Sequence, residues 1–211
     1  MEHSFWHQRW EKGETAFHES DANPLLVKHW DRLALPDKSR VFVPLCGKTL
    51  DIGWLLSRGH RVVGAELSEI AIGQLFSGLG LEPVVTEAGA LKHFAAPDLD
   101  IFVGDIFHLT SERIGGVDAI YDRAALVALP HPMRLRYTAH LNAITKRAPQ
   151  LLVSFNYDQS AMDGPPFSIP DEEIHAHYGA SHAVALLECA AMPDGLKGCP
   201  ATEKVWLLPR L

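Results

Sequence analysis

The sequence predicts a doubly wound α/β protein with a mostly parallel sheet, an antiparallel C-terminal edge and an N-terminal helical extension. Three observations predict it. Short apolar runs at about 40–45, 61–66, 117–121 and 150–156 alternate with segments of helical spacing, as expected for strands covered on both faces by helices. The stretch Val41 to Asp51 reads as a buried strand, a tight turn and a helix start, and the next run, Val62-Val63-Gly64-Ala65-Glu66, ends in a carboxylate. The last two runs, 182–189 and 202–208, have no full helix between them and predict an antiparallel hairpin. One domain over residues 1–211 follows, with residues 1–35 as an extension covering the carboxyl edge of the sheet.

The elements follow in order. Trp6 and Trp10 lie four apart on one face of a short helix, which Gly13 interrupts. Asn23 as N-cap and Pro24 at the first helical position start a second helix that runs to about Leu33, with Leu26, Val27 and Trp30 on its apolar face. A helix over about 49–58 turns Leu50, Trp54 and Leu55 inward and stops at Gly59. Ser68 caps a helix carrying Ile70, Ile72, Leu75 and Phe76 that ends near Gly78-Leu79-Gly80. Residues 91–95 and 99–104 form two strands joined by a turn at Ala96-Pro97-Asp98. Met133, Tyr137, Leu141 and Ile144 mark a helix over about 132–147, and Pro170-Asp171-Glu172-Glu173 starts a short one. The segment Asp163 to Phe167 is a stiff, proline-rich loop.

Composition narrows the partners. The net charge of −7, without a Lys/Arg cluster, argues against nucleic acid or an anionic membrane surface. No apolar run is long enough to span a bilayer, and the first residues lack the basic and apolar regions of a signal peptide. Cys46, Cys189 and Cys199 form no framework of bridges, which points to a reducing cytoplasm. Cys46 reads as a small buried residue of the turn. The twelve histidines show no metal-binding motif, and no metal is expected.

The turn at 45–51 points to a nucleoside cofactor. Gly47-Lys48-Thr49 resembles the end of a phosphate-binding loop, but that motif requires glycine where Phe42 stands. The dinucleotide fingerprint is absent too, since Gly47 has Leu45, Thr49 and Leu50 in place of its companion glycines. A cofactor without phosphates needs no such loop. S-adenosylmethionine fits, with Glu66 at the end of the second strand accepting from its ribose hydroxyls.

Longer motifs carry a resemblance. They are Phe5-Trp6 with Arg9-Trp10, Phe17-His18, Val43-Pro44-Leu45-Cys46-Gly47-Lys48, and Gly59-His60 with Val63-Gly64-Ala65-Glu66-Leu67-Ser68. Further along stand Gly104-Asp105-Ile106-Phe107, Tyr121-Asp122-Arg123-Ala124-Ala125-Leu126-Val127-Ala128-Leu129, Tyr157-Asp158 and Gly164-Pro165-Pro166-Phe167. In this order and spacing the chain resembles the thiopurine S-methyltransferase family, in its bacterial form, over nearly its whole length. The resemblance implies a class I, Rossmann-like methyltransferase fold of the seven-stranded type, and methyl transfer from S-adenosylmethionine to aromatic thiols, including thiopurines.

The resemblance also implies residue roles. Trp10, Leu45, Glu66 and Arg123 hold the cofactor, with Gly47 in the turn. Trp10 offers an aromatic face to the sulfonium, Leu45 offers backbone groups, and Arg123 pairs with the cofactor carboxylate or an anionic substrate. Asp105 and Ile106, at the end of the preceding strand, are placed for adenine. Asp122 either orients Arg123 or caps the next turn. Phe17 lines the acceptor, and Pro165, Pro166 and Phe167 shape the wall around it. The vertebrate members' basic residue near the substrate has no clear counterpart, because Cys189 to Pro200 offers only Lys197. Attack of a soft sulfur, selenium or tellurium nucleophile on an activated methyl needs alignment more than acid–base chemistry, so no catalytic residue is expected. The partner is then a small thiol or selenol met by a monomer. Two rivals are a methyltransferase-fold enzyme for halide or thiocyanate, and a cofactor-binding module without transfer.

Overall fold

The computed structural model of the chain describes residues 3–14 and 19–211. Phe17 lies outside the described residues. The strands are β1 (Arg40–Pro44), β2 (Arg61–Glu66), β3 (Val84–Ala88), β4 (Leu91–Ala96), β5 (Leu99–Val103), β6 (Ala119–Arg123), β7 (Gln150–Tyr157), β8 (Ala185–Ala191) and β9 (Ala201–Leu208). They form one sheet in the order β3-β4-β5-β2-β1-β6-β7-β9-β8. The centre, β5-β2-β1-β6-β7, is parallel. Antiparallel pairs close both edges, β3-β4-β5 at one and β7-β9-β8 at the other.

Alternation along the central strands explains the two covered faces. Phe42, Val63, Phe102, Ile120 and Leu152 point to one core, while Val41, Val43, Val62, Ile101, Leu151 and Val153 point to the other. Helices α2 (Pro24–His29), α3 (Asp51–Ser57) and α4 (Glu69–Leu79) cover the second face, through residues such as Leu26, Leu55, Ile72 and Phe76. Helices α5 (Ser111–Ile114), α6 (His131–Ile144) and α7 (Asp171–Tyr178) cover the first, through Ile114, Tyr137, Leu141 and Tyr178. The N-terminal helix, α1 (His3–Glu11), precedes them.

The caps expected from sequence form. The Asn23 side chain accepts from the N–H groups of Leu25 at 2.9 Å and Leu26 at 3.3 Å, with Pro24 in the first turn. Beyond His29 the helix tightens into a 3-10 turn over Trp30–Leu33 and ends at Ala34. Ser68 Oγ accepts from Ala71 N–H, and Gly80 closes α4 in the left-handed region.

Three readings are corrected. β3 has no counterpart in the sequence prediction. Its residues are mostly exposed, so no apolar face marks it, and its partner β4 supplies the order. Two residues expected on apolar helix faces are exposed: Ile70 is 45% exposed and faces away from the core that Ile72, Leu75 and Phe76 enter, and Val27 is 49% exposed beside the buried Leu26. The strand placed at 117–121 runs instead from Ala119 to Arg123, so Arg123 is its last residue.

Asp122 in β6 is completely buried. Its carboxylate accepts from Tyr137 Oη at 2.7 Å and Leu126 N–H at 3.1 Å. It therefore ties the strand to α6 and caps the turn that follows. Burial pushes its pKa up to about 6, against the opposing pull of these donors. The free carboxylate in an unfolded chain ionises near pH 4, at about 3.9. Between those values the folded state binds the extra proton, so stability falls as pH rises from about 4 to about 6. Urea unfolding at both ends of that window is expected to show wild type losing stability relative to Asp122→Asn as pH rises. A constant difference would contradict the assignment. Asn23→Ala removes a cap and is expected to cost about 1 kcal/mol in the same assay.

Candidate active site

The carboxyl ends of the central strands open into a cavity of about 530 Å³. Its floor is the turn after β1. Leu45 adopts φ +45° and Gly47 φ +53°, which turns the chain sharply between strand and helix. A Cβ at Gly47 would lie 3.1 Å from Cζ2 of Trp10, so glycine lets the indole of α1 settle on the turn. Trp10 is buried there and lines the cavity.

Glu66 anchors the turn. Its Oε2 accepts from Gly47 N–H at 2.8 Å, and its Oε1 accepts from Ser68 N–H at 2.9 Å. One carboxylate thus joins the ends of two parallel strands, 19 residues apart in sequence. Burial raises its pKa, and the N–H groups of Ser68, Gly47 and Leu67 oppose that shift. Each oxygen keeps a second lone pair for a ligand hydroxyl. Beside it Cys46 is buried, and burial together with the Glu66 charge raises its thiol well above the ordinary value.

Asp105 and Ile106 follow β5. Asp105 Oδ1 accepts from Phe107 N–H at 3.0 Å, capping a short 3-10 turn, and both residues border the cavity. Arg123, at the end of β6, pairs through Nη2 with Glu19 of the extension, and its Nη1 lies 3.9 Å from Asp51 Oδ2. Asp51 is buried, accepting from Asn23 N–H at 2.7 Å and from Tyr121 Oη at 3.1 Å. The extension, the β1–α3 turn and β6 are therefore joined at one carboxylate.

The far rim is the loop Gly164-Pro165-Pro166-Phe167. Three hydrogen bonds fix it: Tyr157 Oη to Pro166 O at 2.6 Å, Phe167 N–H to Val127 O at 2.6 Å, and Lys197 Nζ to Pro165 O at 2.8 Å. Pro165 and Pro166 face the cavity. Phe167 is not on its wall; its ring lies against Gly164 and 5.9 Å from the Arg134 guanidinium.

Trp10, Leu45, Gly47, Glu66, Asp105, Ile106, Arg123 and Pro165 thus meet around one space. Sequence reading gave no site role to Trp6, Arg9, Glu19, Phe155, Met192 and Glu203, which line it as well. Lys197 also reaches the wall, although its ammonium is engaged by the loop. The residues present fit an adenosine-type cofactor: a buried carboxylate with lone pairs to spare, a sharp turn at a strand end, a tryptophan and an apolar wall. Among the described residues no group of His, Cys, Asp and Glu could hold a metal ion. None of the described helices is long and apolar enough to cross a membrane.

The chain is similar to known proteins in sequence and in fold. The thiopurine S-methyltransferase family matches residues 1–198. A thiopurine S-methyltransferase of Xanthobacter autotrophicus is 58% identical over 212 residues, covering 100% of both chains. One of Teredinibacter turnerae is 51% identical over 211 residues, covering 100% of this chain and 98% of its own. Among solved structures, the 1,6-didemethyltoxoflavin-N1-methyltransferase of Burkholderia thailandensis, with bound 1,6-didemethyltoxoflavin and S-adenosylhomocysteine, superposes with a TM-score of 0.66 at 15% identity, over 98% of this chain and 87% of that one. A SAM-dependent methyltransferase of Anabaena variabilis gives a TM-score of 0.62 at 14% identity, over 99% and 95% of the two chains. The solved structures share the fold, the curated relatives share the sequence throughout, and the chain belongs to the thiopurine S-methyltransferase family of S-adenosylmethionine-dependent methyltransferases.

Proposed function

We propose that the chain methylates the sulfur of aromatic and heterocyclic thiols, thiopurines among them, and that selenium or tellurium nucleophiles are acceptors of the same site. The observation that carries this reading is a single cavity with a carboxylate-anchored turn at one end and a fixed, apolar proline rim at the other. S-adenosylmethionine supplies a methyl group already activated by the sulfonium. The chain's own residues bind, orient and exclude water. Glu66 accepts from the ribose hydroxyls, while Leu45 and Gly47 offer backbone groups. Asp105 and Ile106 take the adenine, and Trp10 lies against the methionine end. Arg123 pairs with the cofactor carboxylate beside Glu19 or in exchange for it. Pro165, with Phe167 behind it and Phe17 from the extension, bounds the acceptor. The work asked of the protein is alignment and desolvation.

Residues 1–35 act as an extension of the single domain that covers this site. Trp6, Arg9 and Trp10 already reach the cavity from α1. We place the protein in the cytoplasm, a reading supported by its three free cysteines, and propose that it acts as a monomer on small thiols or selenols in a detoxifying role. S-adenosylhomocysteine is expected to protect the N-terminal segment from protease. Equal cleavage with and without it would count against the cover.

Calorimetric titration with S-adenosylhomocysteine tests the cofactor site. Wild type is expected to bind in the micromolar class, and Glu66→Ala to weaken binding by roughly 1–3 kcal/mol. Glu66→Gln, which keeps one acceptor for the turn, is expected to fall between them. Absence of binding by folded wild type would sink the reading. With binding established, turnover of aromatic thiols and selenide is expected. Turnover of halide or thiocyanate alone would point to a different nucleophile class, and binding without any turnover to a module that has lost transfer.

A further inference from the structure

Four carboxylates stand on the cavity wall: Glu19, Glu66, Asp105 and Glu203. Three of them are engaged. Glu66 accepts from two backbone N–H groups, Asp105 from Phe107 N–H, and Glu19 from Arg123 and the Asn23 amide. Glu203 is different. It is half-buried, yet its carboxylate makes no hydrogen bond or ion pair with any described residue. It projects from β9 directly opposite Phe155 of β7, and both side chains line the cavity. From β2, which ends in Glu66, to β9 the sheet takes four strand steps, so the two strand axes stand about 19 Å apart. Glu203 therefore belongs to the end of the cavity bounded by Pro165, Pro166, Met192 and Leu196, away from the cofactor turn.

We propose that Glu203 is a catalytic residue, accepting the ring N–H of a heteroaromatic thione and taking its proton as the sulfur is methylated. The assignment rests on the methyl-transfer reading and narrows its acceptor class. In a heterocyclic thione the mobile proton sits on ring nitrogen, not on sulfur. Methylating the sulfur leaves a cation unless that proton departs. The acceptor sulfur forms one bond to the methyl carbon, and the pair of the broken sulfonium bond stays on S-adenosylhomocysteine. The N–H bonding pair returns to the ring, and its proton goes to a Glu203 oxygen. The products are a neutral S-methyl heterocycle, S-adenosylhomocysteine and a protonated Glu203. The expectation that no base is needed holds for an acceptor that arrives as a thiolate, and not for this one.

The surroundings suit a base. Burial raises the Glu203 carboxyl above the usual carboxylate range, Arg123 of β6 pulls it back, and Glu19 and Glu188 push it further up. Glu188 of β8 is itself held by Lys28 and His29 of α2. Lys197, from the β8–β9 connection, Arg9, from α1, and Lys48, from the turn after β1, are the other cations lining the cavity; the Lys197 ammonium is committed to Pro165 O and that of Lys48 to Gln74. A carboxylate brought closer to neutrality gains driving force as a proton acceptor.

Glu203→Gln tests this with two acceptors. Mercaptopurine is an N–H thione, and para-nitrobenzenethiol is a thiolate throughout the neutral range. The variant is expected to retain S-adenosylhomocysteine binding. Its kcat/KM on mercaptopurine is expected to fall about a hundredfold further than on the thiolate. Wild-type kcat/KM on mercaptopurine is expected to rise with pH through a limb above the usual carboxylate range, and the variant to lack that limb. A spectroscopic readout is independent of turnover. In the complex with S-adenosylhomocysteine, bound mercaptopurine is expected to ionise at higher pH in wild type than in Glu203→Gln, because the carboxylate opposes a second negative charge. Equal losses on both acceptors, an unchanged rate on mercaptopurine, or unshifted ionisation of the bound acceptor would overturn the assignment. A wild type that binds no S-adenosylhomocysteine or methylates neither acceptor would overturn the functional reading itself, and this assignment with it.

Discussion

The site depends on one constraint: backbone N–H groups released where parallel strands end must find acceptors away from water. An unpaired donor there costs about 1–3 kcal/mol. Carboxylates meet the demand at successive strand ends. Glu66 serves Gly47 and Ser68, Asp105 serves Phe107, and Asp122 serves Leu126, while Asp51 at the start of α3 does the same for Asn23 at the start of α2. Each one joins segments distant in sequence or caps the turn that follows its strand. The edge of the sheet is consequently ordered by its own side chains before any ligand arrives.

That arrangement links stability to chemistry. The N–H groups that hold Glu66 also offset part of the cost of burying its charge, so the carboxyl that faces the cavity is the one that orders the turn. Asp51 joins the extension to the turn after β1, and Tyr121 and Arg123 bring β6 to the same point. Arg123 is thereby fixed among carboxylates from two directions, and the charge it offers a ligand is already shared with Glu19. The apolar half of the cavity is built differently. There the loop at Pro165 is held through its carbonyl oxygens, so its hydrocarbon faces the interior.

Legibility in the sequence followed the range of the interactions. The turn after β1, the Asn23 and Ser68 caps and the carboxylate closing β2 are local patterns, and each was readable from a few consecutive residues. The central strands were readable because both their faces are buried. β3 was not, since its valines are exposed and its order comes from pairing with β4. Glu19 and Arg123 lie 104 residues apart, and no spacing announces their pairing. Glu203 sits between Thr202 and Lys204 in what reads as an ordinary edge strand. Its position on the cavity wall comes from the antiparallel register of β9 on β7, which is a property of the whole sheet.

Cys46 shows what the packing around the turn prevents. A methyltransferase whose cofactor carries an electrophilic methyl group has a sulfur of its own, Cys46, on the cavity wall. A Cβ on Gly64 would come within 3.1 Å of that Sγ, so the thiol is seated tightly against β2. Burial and the neighbouring Glu66 charge keep it protonated, and a thiol without thiolate character is a poor nucleophile. The carboxylate that organises the turn therefore also helps to hold this thiol in its poorly nucleophilic, protonated form.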